Sequence, residues 1–149
     1  MIKKMKDQKW IARWLLSGCF LIFLMVVVGG VTRLTHSGLS MVDWHLFMGV
    51  IPPLSDAEWQ QTFNLYKQYP EYQKVNFNYT LNEFKKIFFW EYLHRMMGRM
   101  LGLVFIIPFV FFLIGKSLSK KLILQSLLLL LLGALQGAIG WWMVKSGLV

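Results

Sequence analysis

Glu91, His94, Arg95 and Arg99 stand together in the stretch Phe-Phe-Trp-Glu-Tyr-Leu-His-Arg-Met-Met-Gly-Arg that ends at Arg99. Between them they offer negative charge, proton transfer and a fan of N–H donors. A helix turns about 100° per residue, so Glu91, His94, Arg95, Gly98 and Gly102 share one face within an arc of roughly 100°. Arg99 falls at its edge. The stretch leads straight into an apolar run, Met100 to Gly115. Ionisable groups beside a membrane span are costly, which makes a functional site the first hypothesis. The two glycines leave room for a close neighbour, either another helix or a flat ligand. A plainer account is also open. Glu91 and Arg95 are an i,i+4 pair that can neutralise each other, His94 can be an interface histidine, and Gly98 with Gly102 is a GxxxG helix-packing motif.

The elements that must position these residues are membrane spans. Hydrophobic residues make up 56% of the 149. Three runs, about 14–32, 88–115 and 122–144, approach or exceed the ~20 residues a helix needs to cross the hydrocarbon layer. The fold class is therefore an all-α membrane protein: three transmembrane helices with a helical extracytoplasmic loop at about 33–86, together forming a single membrane domain over 1–149. The formal net charge of +9 sits next to the spans, which assigns it to orientation and argues against nucleic acid as partner. Lys3, Lys4, Lys6, Lys9 and Arg13, and then Lys116, Lys120 and Lys121, place the N-terminus and the 116–121 turn in the cytoplasm. The loop and the end of the chain then face outside, and the site lies near the outer face of the plasma membrane. Trp10, Trp14, Trp90, Trp141 and Trp142 read as interfacial anchors. The first run has a basic flank but no A-x-A-type cleavage site, so it reads as an uncleaved anchor. The lone Cys19 reads as a packed thiol.

The outer loop is patterned. Ser55-Asp-Ala-Glu58 and Thr80-Leu-Asn-Glu83 are capping-box sequences, each ahead of aromatics at helical spacing. They predict two amphipathic helices at the outer surface, the second running on into the second span from Leu81 or Phe84. Pro108 removes the hydrogen bond to the Val104 carbonyl and predicts a kink. Gly133-Ala-Leu-Gln-Gly137-Ala-Ile-Gly140 predicts close packing of the third span, with Gln136 bonding to a neighbouring helix.

Four segments together resemble the heme A synthase family, in the branch shared by alphaproteobacteria and mitochondria. They are Gly29-Gly-Val-Thr-Arg-Leu-Thr with Ser37-Gly-Leu-Ser-Met-Val-Asp-Trp44; Gly49-Val-Ile-Pro-Pro-Leu-Ser55; Glu91-Tyr-Leu-His-Arg-Met-Met-Gly-Arg99; and Gln136-Gly-Ala-Ile-Gly-Trp-Trp-Met-Val-Lys-Ser-Gly-Leu148. The resemblance implies an eight-helix enzyme of two four-helix halves. It oxidises the C8 methyl group of heme O to a formyl group, giving heme A. One half takes the substrate heme and the other a heme b cofactor, each framed by two histidines. On that basis Glu91 is the catalytic carboxylate and His94 an axial iron ligand. Arg95 and Arg99 are candidates for the heme propionates, since planar guanidinium forks suit carboxylates. His36 and His45 are treated as loop residues. With three spans, the chain is expected to be the incomplete N-terminal part of a longer protein, lacking the fourth helix, the paired histidine and the heme b half. Expected partners are the lipid bilayer, heme O, heme O synthase, an electron donor and a second copy of the chain. Two other functions compete: a non-catalytic heme-binding or electron-transfer subunit, and a cofactor-free helix-packing subunit. A heme spectrum, and then heme O turnover, separates the three.

Overall fold

The computed structural model describes residues 2–42 and 50–146, with side chains from residue 8 onward. Five helices occur in it: α1 Ile2–Leu34, α2 Asp56–Tyr66, α3 Pro70–Lys74, α4 Leu81–Ile114 and α5 Lys120–Ser146. No strand occurs among the described residues. Gln8–Leu34, Leu81–Ile114 and Lys120–Ser146 are each long and apolar enough to cross a membrane. Their large apolar side chains, such as Phe23, Ile107, Phe111 and Leu124, stand exposed along the helices. That is the expected surface where the solvent is lipid. At 34 residues, α4 is about 51 Å long against a ~30 Å hydrocarbon core, so it has length to spare beyond the bilayer.

The helix ends have local causes. At α2, Ser55 Oγ accepts from the Glu58 N–H at 3.3 Å, and Glu58 Oε2 accepts from the Leu54 and Ser55 N–H groups at 2.7 and 3.4 Å. At α4, Glu83 Oε2 accepts from the Thr80 N–H and hydroxyl at 2.7 and 2.8 Å. Both capping boxes form as the sequence predicts. The short α3 has no side-chain cap and starts on Pro70, which suits a first turn because it has no N–H to leave unpaired. At the end of α1 the Ser37 N–H returns to the Thr32 carbonyl at 2.9 Å and the His36 N–H to Arg33 at 3.3 Å. His36 takes the left-handed φ of 51° that this closure needs. Lys116 does the same after α4, with φ 51°, although Gly115 stands beside it.

The chain divides into two compact units: Met1–Val26 with Met97–Gly137, and Val27–Met96 with Ala138–Val149. In the first, Ile11, Trp14, Phe109 and Phe112 form a buried cluster, joined by Leu122, Ile123 and Leu130 of α5. Trp14 is 6% exposed and is a core residue, where the sequence suggested an interfacial anchor. Its indole N–H donates to the Val104 carbonyl at 3.1 Å, the group that Pro108 leaves without a helical donor. The helix runs unbroken through Pro108. In the second unit, Phe63, Tyr66, Phe84, Ile87 and Phe88 pack with Met41, joining α2 to the first turns of α4.

Two packing expectations are corrected. Cys19 is exposed: it lies on a face of α1 that no described residue covers. A Cβ added at Gly102, Gly133, Gly137 or Gly140 meets nothing within 4 Å, and at Gly98 only the Met25 methyl at 3.7 Å. The GxxxG faces are therefore open among the described residues. Gln136 is exposed as well.

Candidate functional site

Glu91 is the buried centre of the second unit, 3% exposed. One carboxylate oxygen, Oε2, accepts from the Ser40 hydroxyl and from the Met41 N–H, both at 2.7 Å. The other, Oε1, accepts from Arg95 Nη2. Arg95 Nη2 also donates to the Met41 carbonyl at 2.7 Å. The ion pair thus grips both sides of one peptide segment, and it fastens the Ser37–Met41 stretch to α4. Ser37 and Ser40 are fully buried beside it. Every buried polar group here has a partner, which is the condition for keeping a charge pair out of water. Only two of the five guanidinium donors of Arg95 are used in this arrangement.

A second anchor lies one residue along. Tyr92 donates its hydroxyl to the Val50 carbonyl at 2.6 Å, so α4 holds the chain on both sides of residues 43–49. A third polar contact, Asn76 Nδ2 to Tyr66 Oη at 2.8 Å, is buried among the aromatics. Burial pushes the Tyr66 phenol up to about 12. Asn76 Nδ2 also reaches the His36 carbonyl at 3.5 Å.

His94 is half-buried on α4, one turn after Glu91. Its Nε2 faces α1: an ideal Cβ on Gly29 would stand 3.3 Å from it. The missing side chain lets the imidazole pack close against α1. Arg99 lies one turn beyond Arg95 on α4, in the part of the helix that belongs to the other unit. His36 serves as the helix-ending residue of α1, and His45 lies outside the described residues. The structure thus brings Glu91 and Arg95 together and sets His94 against Gly29. Ser40, the Met41 peptide, Tyr92 and Gly29 were not singled out for these contacts. The sequence held a trace of them, since Gly29, Ser40 and Met41 lie in the Gly-Gly-Val-Thr-Arg and Ser-Gly-Leu-Ser-Met segments quoted above.

Among the described residues no three His, Cys, Asp or Glu side chains converge to hold a metal ion. A metal at His94 would have to bring most of its own ligands, as a porphyrin does. The residues of this unit that could hold such a group are the His94 imidazole, set against Gly29 of α1, and the neighbouring Arg95 guanidinium. A shallow recess lined by Leu39, Val42, Tyr69, Pro70, Glu71 and Val144 does not include His94.

Comparison with known proteins follows the same residues. The family model described as cytochrome oxidase assembly protein matches residues 12–149. A heme A synthase of Flavobacterium psychrophilum is 57% identical over 147 residues, covering 97% of this chain and 43% of its own length. Another, of Nitrosospira multiformis, is 55% identical over 147 residues, 99% of this chain and 41% of its own. A third, of Caulobacter sp. (strain K31), is 54% identical over 138 residues, with 93% and 40% covered. The chain spans less than half the length of these curated relatives. No solved structure matches it.

Proposed function

Because this chain belongs to the cytochrome oxidase assembly protein family, whose members include the heme A synthases it matches, we propose that it is the N-terminal part of a heme A synthase. The whole protein then oxidises the C8 methyl group of heme O to a formyl group, giving heme A. This part takes the substrate heme, and the remainder holds a heme b cofactor. The observation that carries the reading is His94 on α4, one turn from a buried and fully hydrogen-bonded carboxylate.

His94 is proposed to hold the iron through Nε2. When bound, the heme iron supplies the redox chemistry. Glu91 is held one turn away by Ser40, Met41 and Arg95, which all donate to it. Its role in this reading is electrostatic, favouring positive charge that develops on the substrate during oxidation. Arg95 and Arg99 are assigned to the propionates, whose carboxylates suit planar guanidinium forks. Heme O synthase as supplier, an electron donor and a homo-oligomer complete the proposed setting.

The test is Glu91→Gln in the full-length protein, read as heme composition per folded molecule. Retained heme with unreacted heme O or a hydroxylated intermediate supports the reading. A normal heme A yield per molecule leaves Glu91 as a structural partner of Arg95. The proposed orientation has the N-terminus in the cytoplasm, the end of the chain outside, and the site near the outer face of the plasma membrane. A cysteine introduced at the exposed Ser55, in a Cys19→Ser background, is expected to label from outside in intact cells. Labelling only after permeabilisation reverses the orientation.

A further inference from the structure

We propose that Ser40 is a positioning residue for Glu91: its buried hydroxyl fixes the direction of that carboxylate. The inference rests on the reading of Glu91 as the group that assists oxidation of the substrate. Ser40 is fully buried and donates to Glu91 Oε2 at 2.7 Å. The same oxygen accepts from the N–H of the next residue, Met41, at 2.7 Å. Two donors from consecutive residues therefore converge on one oxygen, and Arg95 takes the other. Three donors on two oxygens set both the place and the rotation of the carboxylate.

The turn that carries Ser40 closes without its hydroxyl. The Ser37 carbonyl lies 3.0 Å from Ser40 Oγ and also accepts from the Ser40 N–H at 3.3 Å. A hydroxyl has one hydrogen to give. The carboxylate is the nearer and the charged acceptor, so the hydrogen goes to Glu91, and the backbone N–H keeps the turn. Ser37 supplies the contrast. It is as buried as Ser40 and stands in the same turn. Its hydroxyl lies 2.6 Å from Thr35 Oγ1 and 3.5 Å from the Thr35 carbonyl, so it serves the turn itself. The Ser40 hydroxyl instead reaches α4, 51 residues along the chain. If the two serines only pack the turn, losing either hydroxyl has the same effect. If Ser40 positions Glu91, the effects differ.

The experiment uses the full-length protein, purified in detergent, with Ser40→Ala and Ser37→Ala, each in the parent and in a Glu91→Gln background. Monodispersity and heme content are checked first. The readouts are heme O converted per bound heme and the infrared carboxylate bands. The Glu91 band is the difference between each protein and its Glu91→Gln counterpart. Ser40→Ala is expected to fold and load heme as the parent does, with the Glu91 band shifted. Conversion per bound heme is expected to fall on the order of tenfold, because the carboxylate keeps two of its three donors yet can turn from its productive direction. Ser37→Ala is expected to match the parent in both readouts. Parent-like conversion in Ser40→Ala, with or without a shifted band, overturns the proposal when Glu91→Gln alone is impaired, and leaves the reading of Glu91 standing. Equal losses in the two serine variants, or failure of Ser40→Ala alone to assemble, assign Ser40 to the turn and overturn it as well. Parent-like conversion in Glu91→Gln overturns both the proposal and the reading it rests on.

Discussion

The two units bury very different things. Among the described residues the unit around Trp14 buries aromatic and aliphatic side chains and a single serine, Ser126, and its long-range polar contact is the indole bond to the carbonyl freed by Pro108. The unit around Glu91 buries a carboxylate, two serines and an asparagine, and the contacts run between α4 and a loop 50 or 51 residues earlier in the chain. In the first unit the packing is non-directional, and many apolar side chains would serve. In the second each group is fixed by a specific donor or acceptor. Such over-determination is what a preorganised site needs, and it supports placing the proposed chemistry in the second unit.

The comparison can be broken by mutation, beginning with the largest effect. Glu91→Ala strands the Arg95 charge, whose side chain is 11% exposed, and releases Ser40 and Met41 together. A loss of ~3–5 kcal/mol is expected from SDS-titrated unfolding in mixed micelles. A loss below about 1 kcal/mol would mean that the pair is solvated and does not organise the unit. In the other unit, Trp14→Phe keeps most of the packing but leaves the Val104 carbonyl without a donor. The expected loss is ~1–3 kcal/mol, and an unchanged transition would show that this carbonyl has found another partner.

The smallest effect is a pH dependence in the loop region. The fold holds the Tyr66 phenol neutral, with its pKa pushed up to about 12, against about 10 in the unfolded chain. The stabilisation is complete below pH ~10, where both states are protonated. It is lost as the pH rises from about 10 towards 12, because only the unfolded state has released its proton. Tyr66→Phe should flatten the stability profile in that window. If the parent and variant curves run parallel there, Tyr66 is not held neutral by burial.

Much of this was legible in the sequence, for physical reasons that differ by element. The three long helices follow from apolar runs of sufficient length, and the starts of α2 and α4 from Ser55 to Glu58 and Thr80 to Glu83. Those are local patterns, complete within one turn. The bond from Ser40 to Glu91 is not local, and no periodicity announces it. The glycines misled for a related reason: spacing marks Gly98, Gly102, Gly133 and Gly137 as packing positions, yet the tight approach is at Gly29 against His94. Spacing gives the face of a helix and says nothing about what faces it. The left-handed turn at His36 was hidden as well, because a histidine there lacks the glycine signature of a helix end.

The central claim is that His94 holds heme iron, and one spectrum tests it directly. Resonance Raman scattering from the ferrous, heme-loaded chain should show an iron–imidazole stretching band, present in the parent and in Glu91→Gln. The band should vanish in His94→Ala even where heme remains associated. A band that persists unchanged in His94→Ala would contradict the account.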